Sequence, residues 1–317
     1  RQKGVTIIYI SHRLEEIFRI ADRVTVLKDG KVVGTDDVGN LNKQTLIEMM
    51  VGRDLSGHYF AERGSGAGKK VLSVRDLCTD DGLQDISFDV YEGEIVGVAG
   101  LVGSGRTELM RAIFGADPRT RGEIEIDGAV ARIHCPRDAV ECGIGFVPED
   151  RKTDGLCLPL HVRFNITLAS LDKISTGGVL HLLSEKRIVE DHISRLRVVT
   201  PTMDQIVANL SGGNQQKVVL AKWLAAGCRV IILDEPTRGI DVGAKAEIYH
   251  LMRELAEAGA AIIMVSSELP EILGMSDRIL VMRDGRLVAE LQPETATENL
   301  ILRHAMGEAE PSYMEVH

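Results

Sequence analysis

Ser211-Gly212-Gly213-Asn214-Gln215-Gln216 and, further along, Val230-Ile231-Ile232-Leu233-Asp234-Glu235 decide how this chain folds. The first stretch sets small residues and main-chain N–H groups at the start of a helix predicted from Gln215 to Ala226. There the positive end of the helix dipole attracts phosphate. The second is a short apolar strand ending on two acids, a placement suited to holding Mg²⁺ and orienting water. Upstream, Gly100-Leu101-Val102-Gly103-Ser104-Gly105-Arg106-Thr107 reads as a phosphate-binding loop in all but one position. Three phosphate-handling elements in this order point to nucleotide hydrolysis.

Gly100, Gly103 and Gly105 suit a turn whose backbone must approach a phosphate without a Cβ in the way. A strand before the loop and an amphipathic helix after it supply the context that the motif requires. Thr107 is placed to ligate Mg²⁺ through its hydroxyl, and Asp234 is the expected Mg²⁺ partner at the strand end. Glu235 is the expected general base or water-orienting carboxylate. Arg106 stands where the motif calls for lysine. Either its planar fork pairs with phosphate bidentately, or the site binds nucleotide and turns it over slowly or not at all. The second reading is favoured. Asp241, in Arg238-Gly239-Ile240-Asp241, has helix capping as an alternative to any role at the site.

Composition narrows the classes. The chain has 317 residues, 44% of them hydrophobic, and a formal net charge of −10. No Lys/Arg cluster resembles the positive stripe that phosphate-backbone binding needs, so no nucleic-acid partner is expected. The apolar runs are far too short to span a bilayer. Five cysteines without CxxC spacing read as reduced cytosolic thiols, not a disulfide frame or metal site.

Short β-rich runs at Val71–Leu77, Ile86–Val90, Glu94–Ala99, Gly145–Val147, Val230–Leu233 and Ala261–Val265 alternate with helical segments. The helices are predicted at Thr107–Phe114, from Gln215, and at Val242–Ala258, with a helical insertion from Asn165 to about Arg197. Such alternation predicts a mostly parallel sheet with helices on both faces. A repeat is also visible: Thr6-Ile7-Ile8-Tyr9-Ile10-Ser11-His12-Arg13-Leu14-Glu15-Glu16-Ile17 resembles 261–272, and Lys28-Asp29-Gly30-Lys31 resembles Arg283-Asp284-Gly285-Arg286. The offset of about 255 residues is the length of one large domain. Residues 1–52 then read as the C-terminal remnant of a first unit, 53–69 as a linker and 70–317 as a complete second unit. The chain is expected to be a piece of a longer tandem protein.

Glycine loop, Ser-Gly-Gly signature and acidic strand end together resemble the ATP-binding cassette of ABC transporters. Gly103-Ser104-Gly105-Arg106-Thr107-Glu108-Leu109, Pro148-Glu149-Asp150-Arg151-Lys152, Asn214-Gln215-Gln216 and Asp234-Glu235-Pro236-Thr237-Arg238-Gly239 resemble, more narrowly, the second cassette of tandem monosaccharide-importer ATPases (ribose, galactose or xylose type). The resemblance implies an α/β fold of P-loop NTPase, ABC type, whose mostly parallel sheet core carries an antiparallel β subdomain and a helical subdomain. It also implies ATP and Mg²⁺ as cofactors. Glycine loop residues 100–107 and the signature Ser211, Gly212 and Gly213 would bind nucleotide; Thr107, Asp234 and Glu149 would serve the metal. Glu235 and His12 would be catalytic.

Three departures set this sequence apart. No aromatic stands at Leu77-Cys78-Thr79 to stack on a base; Glu149 replaces the usual metal-sensing glutamine; Ser267 replaces the usual γ-phosphate histidine, which the first unit keeps as His12. Cassettes of this family work head to tail, so Ser211–Gly213 would complete a site using His12, and the site of Arg106, Glu149 and Ser267 would be impaired. The expected partners are the first cassette of the same polypeptide, integral membrane permease subunits docking near Glu149–Pro159, and indirectly a periplasmic sugar-binding protein. The expected place is peripheral, on the cytoplasmic face of the bacterial inner membrane. Two rivals are a nucleotide-binding regulatory module without turnover and a soluble ABC ATPase outside transport. A GTPase is disfavoured because no Asn-Lys-x-Asp segment is present.

Overall fold

The computed structural model describes residues 5–11, 14–28, 31–42, 45, 46, 49 and 68–308. The linker reading, 53–69, falls almost wholly outside the described residues, and so does His12.

The main body begins with two strands, β3 (Lys70–Cys78) and β4 (Ile86–Tyr91), which pair antiparallel. β5 (Ile95–Gly100) leads through the glycine loop into helix α2 (Arg106–Ile113). Strands β6 (Arg121–Ile126) and β7 (Ala129–Val130) complete a four-stranded antiparallel sheet in the order β4-β3-β6-β7. After helix α3 (Pro136–Glu141) comes β8 (Ile144–Val147). The insertion contains α4 (Val162–Thr167), a hairpin of β9 (Ser175–Thr176) and β10 (Val179–Leu180), and α5 (Leu182–Arg195). Then follow α6 (Gly212–Ala225), β11 (Val230–Asp234), α7 (Val242–Glu257), β12 (Ala261–Val265) and α8 (Leu269–Met275). The hairpin β13 (Arg278–Arg283) and β14 (Arg286–Leu291) precedes the last described helix, α9 (Glu298–Met306).

The second sheet runs β14-β13-β5-β12-β11-β8, parallel throughout except for β14. Its central strands are unbroken apolar runs because helices cover both faces: every residue of β11 and β12 is buried. The carboxyl ends of β5, β11 and β12 lie side by side, with Asp234 paired in register to Val265. Loops leaving neighbouring parallel strands at one edge are where such sheets place ligands. The expected parallel core with an antiparallel sheet and a helical insertion is the fold observed.

Some elements differ from expectation. α6 starts at Gly212 rather than Gln215, because Ser211 caps it. Strand β6 and helix α3 carried no strong pattern in the sequence, since β6 alternates only weakly in burial and α3 has one buried residue.

The repeat holds in detail. Helix α1 (Leu14–Ile20) begins and ends 255 residues before α8 (14 against 269, 20 against 275). Strand β1 (Arg23–Lys28) stands in the same relation to β13, and β2 (Lys31–Asp37) begins 255 residues before β14 and runs one residue longer. Both hairpins share register and bulge: Val24 faces Asp36 as Ile279 faces Leu291, and the bulges fall at Val26/Leu27 and Val281/Met282. The run Val5–Ile10, however, forms no strand, and Ile8 and Ile10 are about nine-tenths exposed. Its counterpart β12 is ordered by flanking strands β5 and β11. Among the described residues, nothing in 5–49 offers such neighbours.

Candidate functional site

The loop after β5 turns sharply, and glycine makes that turn possible. Gly103 and Gly105 have φ of +81° and +97°, the left-handed region that a side chain disfavours. A Cβ on Gly105 would also lie 2.9 Å from Leu83 Cδ2. Ser104 is buried inside the turn, with its hydroxyl lacking a hydrogen-bond partner, and its carbonyl accepts from the Gly285 N–H at 3.0 Å. Leu101 and Val102 face outward.

Arg106 opens α2 and is buried. Its Nη1 donates to the Ser266 carbonyl oxygen at 2.7 Å. The guanidinium is therefore held across the loop, against the end of β12.

Asp234 ends β11 with no exposed surface, and beyond the Thr107 hydroxyl beside it neither carboxylate oxygen has a hydrogen-bond partner. Burial pushes its carboxyl up to about 6, with the Thr107 hydroxyl and the Arg106 charge pulling the other way. A buried carboxylate so sparsely partnered is costly, and a cation is the chemistry that satisfies it. Thr107 and Asp234 fit a Mg²⁺ shared with phosphate oxygens; among the described residues no cluster of three metal-ligating side chains would hold a metal alone.

Glu235 adopts φ +47°, a strained conformation for a residue with a side chain. Its Oε2 accepts from the Ser267 hydroxyl at 3.1 Å. Burial raises its carboxyl too, opposed by Ser267 and Arg106. Sequence placed Glu235 and Ser267 near one phosphate; the structure brings them into direct contact.

At the start of α6, Ser211 accepts from the side-chain amide of Asn214 at 2.9 Å and faces the Asn214 N–H at 3.5 Å. A Cβ on Gly213 would stand 2.7 Å from Ala244 Cβ, so glycine lets α6 and α7 approach closely. A Cβ on Gly212 would stand 2.7 Å from Arg151 Nη2. Glu149 ion-pairs with Arg238, and Arg151 donates to the Arg238 carbonyl at 2.9 Å. The 149–155 turn, which includes a single π-turn at Arg151–Gly155, is thus tied to the 238–241 turn. Asp241 caps α7 by accepting from the Ala244 N–H at 2.9 Å, so the capping alternative describes it. Near Leu77-Cys78-Thr79, the Cys78 thiol accepts from the Asp85 N–H at 3.3 Å.

The sequence pattern of the ABC transporter family matches residues 83–238, from just before β4 to the turn after the acidic end of β11. The chain carries an ATP-binding cassette of this family. The ribose import ATP-binding protein RbsA of Bacillus licheniformis is 51% identical to it over 97% of the chain and 62% of that relative. Ribose import ATP-binding protein RbsA 3 of Rubrobacter xylanophilus is 52% identical over 96% of the chain and 61% of its own length. The chain thus spans about three fifths of the curated relatives that it matches. Among solved structures, an ATP-binding cassette of an ABC transporter in its ADP conformation superimposes with a TM-score of 0.60 at 20% identity, over 75% of this chain and 95% of the other. That likeness supports the cassette fold. No described helix of the cassette is long and apolar enough to cross a membrane.

Sequence reasoning quoted Arg151 and Thr237 within motifs but missed their part in holding the site's turns together, and missed Ser266 and Glu271 altogether in that role. Buried polar contacts between distant segments leave no periodic signal.

Proposed function

We propose that this cassette binds Mg-ATP and, within a longer tandem protein, energises import of a monosaccharide through a membrane permease. One observation carries the nucleotide reading: the buried Asp234 carboxylate at the strand end, with no partner beyond the Thr107 hydroxyl, beside Glu235 and the glycine loop. The names of the relatives support a sugar, ribose among the candidates.

In this reading the Gly100–Thr107 amides would cradle the phosphates, Thr107 and Asp234 would hold Mg²⁺, and Glu149 would serve it once released from Arg238. The metal supplies charge neutralisation on the phosphate oxygens. Glu235 orients the attacking water. Ser211, Gly212 and Gly213 present the α6 N-terminus to a nucleotide held by the first cassette, whose site His12 serves. The permease docks at Glu149–Pro159, which places the protein peripherally on the cytoplasmic face of the bacterial inner membrane. A periplasmic sugar-binding protein acts only through the permease.

The cassette's own site is impaired in this reading. Arg106 is engaged with Ser266, Glu149 with Arg238, and a serine hydroxyl holds Glu235 where a histidine would meet the γ-phosphate. Losing one transition-state contact commonly costs about 10²–10³ in rate. These observations also favour a second reading, a nucleotide-binding regulatory module without turnover. Single-turnover hydrolysis by the full-length tandem protein, site by site, separates them. Slow turnover at the Arg106 site supports impairment, none supports the regulatory module, and equal rates at both sites reject both. Ribose uptake by vesicles holding the permease, the binding protein and the full-length protein tests transport; ATP-independent uptake rejects it.

A further inference from the structure

Glu271, in α8, is buried and accepts hydrogen bonds from three hydroxyls. Thr237 and Tyr249 donate to its Oε1, and Ser266 donates to its Oε2 at 2.7 Å. Lys245 Nζ stands 3.3 Å from Oε1. A carboxylate only accepts, and here every neighbour can donate.

Those donors come from three segments, and two of them carry the phosphate site. Thr237 belongs to the turn that holds Glu235, and Ser266 to the turn that presents Ser267. The Ser266 hydroxyl accepts from the Glu268 N–H at 3.0 Å while it donates to Glu271. Its carbonyl takes the Arg106 guanidinium. Glu271 thus stands behind both walls of the site and touches neither phosphate loop nor metal position. Buried polar networks rigidify the segments that they join when every member is satisfied.

We infer that Glu271 is a positioning residue for the nucleotide site, acting mainly through Ser266. It fixes the turn whose carbonyl engages Arg106 and whose Ser267 hydroxyl engages Glu235. The inference rests on the Mg-ATP reading above.

Glu271→Gln tests it with little change of shape. Two hydroxyls converge on Oε1, so the amide oxygen takes that place and the amide NH₂ faces Ser266. The Ser266 oxygen would then accept twice, leaving its proton without an acceptor in the cluster. Titration of the intact chain with a fluorescent ATP analogue and Mg²⁺ is expected to show about tenfold weaker binding for Glu271→Gln and for Ser266→Ala. The double variant should be no weaker than either, because both cut one path. Tyr249→Phe should lower the melting temperature yet keep affinity within about twofold, which a merely structural Glu271 would not separate. Affinity within twofold in Glu271→Gln, or additive losses in the double variant, would overturn the inference. If the unaltered chain binds no Mg-ATP, the nucleotide reading fails instead. Amide exchange at Glu268 in Glu271→Gln then decides whether the carboxylate fixes the Ser266 turn: faster exchange supports that positioning, and unchanged exchange refutes it.

Discussion

Arg106 Nη1 and the Ser266 carbonyl oxygen are 2.7 Å apart across 160 residues of chain. This contact gives the guanidinium two jobs, since it supplies charge beside the phosphate loop and ties α2 to the end of β12. Lysine could supply the charge but not the same fork. Arg106→Lys is therefore expected to keep ATP affinity while lowering the melting temperature of the nucleotide-free chain. Arg106→Ala should lose both, with affinity down tenfold or more. Titration and thermal melts on the same samples check this, and a lysine variant with unaltered melting would show that the tether carries no stability.

Asp234 carries a buried charge at neutral pH, with burial raising its carboxyl to about 6. A carboxyl raised in the folded state binds protons more tightly there, so its contribution to stability declines as pH rises from about 4 to 6. The rise to about 6 from the ordinary 3.8 is worth at most about 3 kcal/mol. Asp234→Asn should accordingly stabilise the metal-free chain at pH 7.5 and by about half as much at pH 5. Mg²⁺ affinity should behave oppositely, falling below pH 6 as protons displace the cation, and the asparagine variant should lack that dependence. Melting curves and Mg²⁺ titrations at the two pH values test both.

Some of this was legible in the sequence and some was not, for physical reasons. Residues that could meet phosphate or its metal are small, acidic or hydroxylic at fixed spacing, so Gly103, Gly105, Thr107 and Asp234 stood out as candidates. Unbroken apolar runs such as Val230–Leu233 marked the central strands, because only a sheet covered on both faces buries every residue. Strand β6, with one buried residue in six, gave no such pattern. Glu271 was invisible because its partners lie 34, 22 and 5 residues away along the chain, joined only by the fold.

Gly105 combines a φ of +97° with a crowded side toward Leu83. Gly105→Ala should destabilise by about 1–3 kcal/mol through backbone strain. ATP affinity should fall as well, because the strain relaxes by moving the loop. Denaturant unfolding and ATP titration check it, and an unchanged unfolding midpoint would mean that the turn tolerates a Cβ.

Lys222, buried in α6, joins the helix to the 149–155 turn. Its Nζ donates to the Gly155 carbonyl at 2.8 Å and lies 4.3 Å from the centre of the Trp223 ring. Burial lowers its pKa to about 8, with the nearby Cys157 opposing the change. Between pH 8 and the unfolded value near 10.5, the unfolded chain holds a proton that the folded chain has released. Stability therefore rises with pH in that window, by about 1.4 kcal/mol per pH unit at most. The buried thiol of Cys228, pushed up to about 12 by burial, acts in the opposite sense above pH 9. A comparison with Lys222→Met cancels that effect, because both proteins keep Cys228. From pH 7.5 to 9.5 the lysine form should gain up to about 2 kcal/mol on the methionine form in denaturant unfolding. Parallel pH responses would mean that Lys222 stays protonated in the fold, and that the Gly155 carbonyl and the tryptophan face compensate its burial fully.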